Sequence, residues 1–280
     1  MQPEIYAKDP TTGIGNALRD RPDNISICVD RFDYHPNAKY KVFVQLEPQY
    51  TEQIVPQLIA RATEYDVILA WDERVLEVCP NASMFRGHGF WIFPEEFTPD
   101  KQNEISFITS SKAFFPGHKL RQSIFDRLVA LGSINEFSLN LHRSPPMIPS
   151  KNPMFEKAKF SVIIENFYRP NLFSEKILDA LWTKTVPLYY GTPNIGEFFN
   201  EKGIITFTTE EELFELLETI TPEMYTELEE SGVLEDNKQR SLKYASFYQS
   251  IDEAIDTVIY GITDADNPTD WERGCKPPKP

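Results

Sequence analysis

The chain has few cysteines, few histidines, a deficit of basic residues and no long apolar run, and each shortage removes a class of protein. Its three cysteines, Cys28, Cys79 and Cys275, are an odd number, widely spaced and without a CxxC pair. Neither a disulfide framework nor a zinc site is indicated, and a reducing compartment is expected. The four histidines, His35, His88, His118 and His142, show no metal-ligand spacing, so no metal is implied. No stretch approaches the ~18 consecutive apolar residues of a membrane helix, and the opening MQPEIYAKDP lacks the basic, apolar and small-residue order of a secretory signal. A soluble chain with no membrane span is expected. Lysine and arginine number 28 against 43 aspartates and glutamates, a formal net charge of −15. Such a surface repels phosphate backbones and anionic lipid, which excludes nucleic acid as a general partner. An anionic small molecule must instead meet a local basic pocket. Lys112, His118, Lys119, Arg121 and Lys176 are the clustered candidates.

What is present is an alternation of strand-like and helix-like segments, which predicts an α/β chain with parallel sheets. At 280 residues there is room for two modest domains or one large one. NISICVD (24–30), YKVFVQL (40–46) and DVILAWD (66–72) read as strands, and TEQIVPQLIARATEY (51–65) as a helix interrupted by proline. Glycine and proline punctuate 83–100, which places a domain boundary near Thr98. A second unit then opens with the strand EISFITSS and the helix HKLRQSIFDRLVALG, on which Leu120, Ile124, Leu128 and Leu131 share a face. HRSPPMIPSKNP reads as irregular. The strand KFSVIIEN, the helix SEKILDALWTK and the strands VPLYYG and GIITF follow, and the alternation ends in four helices. The last two are placed to fold back toward the first unit. The expected division is a small N-terminal α/β domain over 1–98, a second α/β domain over 99–262 and a mobile tail over 263–280, whose composition is too polar to pack.

Several patterns have ordinary readings. TGIGNAL, with Gly13 and Gly15, lacks the third glycine and the preceding strand of a dinucleotide fingerprint, and reads as a surface turn. Asp264 and Asp266 form a DxD in the tail and read as solvated charge. Asn24 to Ser26 and Asn81 to Ser83 match a glycosylation pattern that is common by chance.

The segment Phe160 to Pro193, FSVIIENFYRPNLFSEKILDALWTKTVPLYYGTP, is more specific. A loop after a buried strand and the first turn of the next helix set Glu165, Asn166, Glu175 and Lys176 beside free backbone N–H groups, a corner suited to a diphosphate and its ribose. A lysine in a first helical turn opposes the helix dipole by ~0.3 to 1 kcal/mol, so Lys176 is costly unless an anion sits there. Glu165 ends an apolar strand, where it is either a site residue or an ordinary strand-end charge. Arg121, early in a helix that follows a strand ending in Ser110 and Ser111, either meets phosphate or is a solvated arginine beside Asp126 or Asp179. Glu47 follows KVFVQL and precedes Pro48, at the sheet edge where ligands of open α/β sheets gather.

With Glu165-Asn166, then Glu175-Lys176, Asp179-Ala180, Val186-Pro187, Tyr189 and Gly191-Thr192-Pro193, the chain resembles the family-10 glycosyltransferases, the α1,3-fucosyltransferases. The match is dense over Phe160 to Pro193 and looser over Ile105 to Leu128, at Glu47-Pro48 and at Gly87 to Trp91. The resemblance implies a GT-B-like fold, two Rossmann-like domains with parallel sheets facing a cleft. GDP-fucose would lie in the C-terminal domain, a glycan acceptor would contact the N-terminal one, and no metal or other cofactor is implied. On that reading Arg121 and Lys176 neutralise the diphosphate, Glu175 holds ribose hydroxyls, Asn166 and Glu165 shape the ribose and sugar side, and Glu47 is the catalytic base. The short first domain and the lack of a preceding stem or anchor favour a cytoplasmic enzyme of bacterial or viral origin. Leu172 and Phe173 before the Glu-Lys pair, and the apolar and basic loop NFYRPN, depart from the family pattern and leave the donor sugar open. A GT-B transferase with another donor, exostosin-like, and a non-catalytic glycan- or nucleotide-binding protein are the rival readings.

Overall fold

The computed structural model describes residues 5–7, 24–85 and 87–260. The turn at Gly13 and Gly15, the Asp264/Asp266 pair, Cys275 and the tail from 263 lie outside them. The chain up to His88, together with the segment from Ser246, forms one compact unit, and Gly89–Ala245 forms the other.

In the first unit, strands β1 (Ile5–Ala7), β2 (Ile25–Val29), β3 (Tyr40–Val44), β4 (Val67–Ala70) and β5 (Ala82–Met84) make a parallel sheet in the order 1-2-3-4-5. Period-2 alternation divides its side chains between two faces. Ile25, Ile27, Val42, Val44, Val67 and Leu69 point to one, and Cys28, Phe43, Ile68 and Ala70 to the other. The second face is covered by helices α1 (Thr51–Ala60) and α2 (Glu73–Val78), through Ile54, Val55, Leu58 and Val75. Helix α1 continues through Pro56 and stops at Ala60, followed by a 3-10 turn over Ala62–Glu64, so the expected single helix to 65 is shorter. Cys28 and Cys79 are buried and in no disulfide.

The second unit holds a six-stranded sheet in the order β11-β10-β9-β6-β8-β7. Its strands are β6 (Gln102–Ser110), β7 (Ser133–Ile134), β8 (Phe137–Ser144), β9 (Ala158–Ile164), β10 (Val186–Tyr190) and β11 (Ile205–Thr206). All pairings are parallel except the β7–β8 hairpin. The helices are α3 (Pro116–Leu131), α4 (Asn152–Phe155), α5 (Glu175–Trp182), α6 (Glu210–Thr219), α7 (Pro222–Glu230) and α8 (Val233–Leu242). Helix α3 begins with Pro116 at its first position, where a missing N–H costs nothing, and stops at Gly132, whose φ of +73° leaves the helical region. Ile124 and Leu128 are fully buried under it, but Leu131 is 52% exposed. The expected apolar face therefore ends one turn early. Strand β8 lies in a stretch for which the sequence suggested no strand, although Phe137, Leu139 and Leu141 alternate. Because β8 pairs on one side of β6 and β9 on the other, the strand order reverses at β6, and a switch point opens at the carboxyl ends of β6 and β9.

The two places where the chain passes between units differ from the expected boundaries for packing reasons. Ile92 is buried in the core of the second unit, and Trp91 and Phe93 donate backbone N–H groups to Asp179 and Asn152 at 2.8 and 2.9 Å. Residues 89–98 are therefore bound to the second unit. Helix α9 (Phe247–Ile255) returns to the first, where Ile251 and Ile255 are fully buried against the β2–β3–β4 face. Among the described residues no helix is long and apolar enough to cross a membrane.

One buried amine ties three segments of the second unit together. Lys101 Nζ donates to Phe155 O, Ala158 O and Thr185 Oγ1 at 2.7, 2.9 and 2.6 Å, so each of its three N–H groups has an acceptor. Lys101→Met removes all three donors and should lower stability by about 2–4 kcal/mol, read as a shift in the urea midpoint at unchanged helix content. A shift under about 0.5 kcal/mol would show that the tie is not stabilising.

Candidate functional site

Strand β9 runs Phe160, Val162 and Ile164 into one core and Ile163 into the other, and its apolar run stops at Glu165, which is only 3% exposed. A buried carboxylate needs partners, and these come from the start of α5. Ser174 donates its N–H to Glu165 Oε1 at 3.0 Å and its hydroxyl sits 2.9 and 2.8 Å from the two carboxylate oxygens. Lys176 Nζ adds a contact at 3.3 Å to Oε2 and another of 2.8 Å to the Ser174 hydroxyl. Ser174 also caps the helix, its Oγ accepting the Lys176 N–H. The lysine that looked costly at a helix N-terminus thus has its anions: Glu165, and Glu175 at 3.4 Å. Burial works against the Lys176 ammonium, but the two carboxylates more than offset it and leave its pKa raised.

The second wall comes from α3. Arg121 is 6% exposed, so the solvated alternative does not hold. Its Nε donates to Ile164 O at 2.8 Å, Nη2 contacts the same carbonyl, and Nη2 also donates to Asn166 Oδ1 at 2.8 Å. Asp126 pairs instead with Arg143 at 2.6 Å, and Asp179 with Lys151 at 2.7 Å. Backbone meets backbone where α3 approaches the Glu165–Asn166 corner: Gly117 N–H donates to Asn166 O at 3.0 Å, and a Cβ on Gly117 would lie 1.9 Å from Glu165 O. Only glycine fits. A second glycine is required where the β10 loop passes the corner, since a Cβ on Gly191 would lie 2.1 Å from Tyr189 Oη. His118, 4% exposed, receives the Phe115 N–H on Nδ1 at 3.4 Å and hydrogen-bonds the Asn166 side chain. Burial first, and then the charges of Arg121, Lys112 and Lys176, push its pKa down to about 4.

At this switch point lies a cavity of about 330 Å³, bounded by Thr109 and Ser110 of β6, Val162 to Ile164 of β9, and Ser144 of β8. The charged groups lining it are Lys112, Arg121, Lys151, Glu175 and Lys176, four cations against one carboxylate. Burial works against ionisation of Glu175, but Lys176, Lys151 and Ser174 together hold its pKa down to about 2. A cavity so lined can take a multiply charged anion beside a hydroxyl-accepting carboxylate.

Of the residues expected from sequence, Lys112, Arg121, Glu175 and Lys176 reach the cavity wall. Glu165 and Asn166 lie behind them, engaged with Ser174 and Lys176 and with Arg121 and His118. Lys119 is exposed on α3 and does not line the cavity. Glu47 belongs to the first unit, exposed just past β3 at the carboxyl edge of that sheet. Its N–H and that of Leu46 donate to the two oxygens of Asp30 at 2.8 and 2.9 Å, and burial raises the Asp30 pKa to about 6. Sequence reasoning missed Lys151, hidden in a proline-rich stretch read as irregular, and the requirement at Gly117. A glycine just after the Pro116 that opens a helix was the available signal for the latter. Among the described residues no group of three or more His, Cys, Asp or Glu side chains could hold a metal ion.

No protein-family model matches the chain. A stretch of 111 residues, 40% of this chain, is 26% identical to the α-(1,3)-fucosyltransferase FucT of Helicobacter pylori, and the match spans 22% of that curated relative's length. Among solved structures, an α1,3-fucosyltransferase crystallised with GDP aligns over 95% of this chain and 94% of its own at a TM-score of 0.50 and 16% identity. The chain is thus similar to α1,3-fucosyltransferases in sequence and shares their GT-B-like α/β fold of two Rossmann-like units with parallel sheets.

Gly117→Ala should destabilise the second unit by about 1–3 kcal/mol or more, read by urea denaturation, because helix and strand must separate to admit the methyl group; an unchanged midpoint would show the corner to be pliable. His118 is neutral when folded. As pH falls from 6.5 toward about 4 the unfolded chain takes up a proton that the folded one does not, so this residue's contribution to stability is lost across that window. His118→Asn, whose Oδ1 can still accept the Phe115 N–H, should show a smaller drop in midpoint between pH 7 and pH 4.5 than wild type. Equal drops would mean that His118 does not stay neutral.

Proposed function

We propose that the chain is a metal-independent, inverting glycosyltransferase that moves fucose from GDP-fucose to a glycan hydroxyl. The observation that carries this reading is the charge balance of the cavity: four cations and one carboxylate at the switch point of a parallel sheet, in a chain of net charge −15. Switch points are where α/β sheets take nucleotides, and fixed cations there supply the charge that other transferases draw from a divalent ion. The motif resemblance and the common fold favour a GDP-sugar as the donor.

In this reading Arg121 and Lys176 face the diphosphate and Glu175 accepts hydrogen bonds from ribose hydroxyls. Lys176 is already extended between Glu165, Ser174 and Glu175, so little side-chain freedom is lost when the phosphate arrives. Glu47 takes the proton of the acceptor hydroxyl as that oxygen bonds to the anomeric carbon from the face opposite GDP. The bond from the anomeric carbon to the β-phosphate oxygen breaks, its electron pair leaves with GDP, and the configuration inverts. Charge accumulating on the departing diphosphate is met by cations already in place, which is where such stabilisation acts most strongly.

Ranking GDP, UDP and ADP by thermal shift tests the donor. Stabilisation follows RT ln(1 + [L]/Kd), about 2.7 kcal/mol at a hundredfold excess over Kd, and GDP is expected to give the largest shift. UDP or ADP ahead of GDP would move the assignment to another donor. Arg121→Ala and Lys176→Ala should each weaken GDP binding by about 10- to 100-fold, the first also losing stability because Ile164 O is left without its donor. Glu47→Gln should cut kcat by about 10²- to 10⁴-fold with GDP affinity unchanged. Full turnover in Glu47→Gln would remove it as the base.

A further inference from the structure

Lys151 is the cation of the cavity for which neither the motif resemblance nor the sequence spacing provides a role. It precedes the short helix α4, with a side chain 19% exposed, and it sits between two carboxylates of α5. Asp179 Oδ2 is 2.7 Å from its Nζ, and Glu175 Oε1 is 3.9 Å away. Asp179 is fully buried, and its other oxygen accepts the Trp91 N–H at 2.8 Å. The anchor of Lys151 is therefore itself fixed from both sides. The Trp91 ring stands 5.4 Å from the ammonium, at a separation where the ring face attracts a cation.

Glu175 consequently lies between two ammonium groups, Lys176 at 3.4 Å and Lys151 at 3.9 Å from the same oxygen, Oε1. Cations on one oxygen, with the Ser174 side chain as a further hydrogen-bond partner, restrict the carboxylate's rotation, and each carboxylate oxygen has more than one lone pair with which to accept. They also keep the group ionised, an acceptor only. We propose that Lys151 is a positioning residue: held by Asp179, it orients Glu175 to accept the ribose hydroxyls of the bound nucleotide. This rests on the donor reading given above and adds to it a source of selectivity for ribonucleotides.

The test measures, by titration calorimetry on the full chain, the affinities of GDP and of 2′,3′-dideoxyguanosine diphosphate for wild type, Lys151→Gln and Lys151→Arg. Wild type should prefer GDP by about tenfold or more, equivalent to ~1.4 kcal/mol. Lys151→Gln should narrow that preference to about twofold, and Lys151→Arg, which retains the charge and the pair with Asp179, should restore it. Since Lys151→Gln leaves a buried carboxylate unpaired, the double variant Lys151→Gln/Asp179→Asn is measured beside it; Asn keeps an acceptor for the Trp91 N–H. An unchanged GDP preference in a folded variant overturns the proposal, and an equal loss of affinity for both ligands marks Lys151 as a plain phosphate contact. If wild type binds both ligands equally, Glu175 is not a ribose ligand and this inference fails while the diphosphate site stands. If wild type binds no GDP, the donor reading fails and takes the inference with it.

Discussion

The buried carboxylate of Glu165 fixes where helix α5 begins, and through it the place of each charge in the cavity. A carboxyl group at 3% exposure cannot stand without hydrogen-bond partners. Ser174 and Lys176 supply it, drawing the first turn of α5 onto the end of β9. Glu175 and Lys176 then project at the switch point. On the other side Arg121 donates to the last carbonyl of β9 and to Asn166, so two helices converge on one strand end. That convergence is possible only because Gly117 lets backbone touch backbone.

The electrostatic design is a chain of alternating charges, running from Glu165 through Lys176, Glu175 and Lys151 to Asp179. Each ion is held by a neighbour of opposite sign, and the two ends are the most buried members. On the proposed reading, little reorganisation is needed when the diphosphate enters, and preorganisation of this kind gives fixed charges their effect on a transition state. The chain as a whole carries a net charge of −15, and the four cations of the cavity are a local exception to it.

The fold was legible wherever burial followed a simple period. Strands β2, β3, β4, β9 and β10 alternate cleanly or are apolar throughout, helix α5 begins with a serine cap, and the Glu165-Asn166 to Glu175-Lys176 spacing points to a loop and a first turn. Strand β8 carries the same period-2 signal, Phe137, Leu139 and Leu141 alternating with Ser138, Asn140 and His142, but the proline-rich stretch that reads as irregular begins at His142 and obscures it. Without β8 the reversal of strand order at β6 cannot be inferred. The first passage between units was also hidden: nothing local says that Ile92 packs into the core of the second unit.

By itself the sequence determined the α/β class, the acidic exterior and the strand–loop–helix–strand corner that sets Glu175 and Lys176 in a first turn, since period, composition and capping are properties of neighbouring residues. Tertiary structure alone decided that Arg121 is buried against Ile164 O, that Lys151 joins the cavity, that Asp179 is its anchor and that Glu165 is a support behind the wall. Those outcomes depend on desolvation and on partners distant in the chain, and a charge shows its role only once the fold has chosen which opposite charge lies beside it.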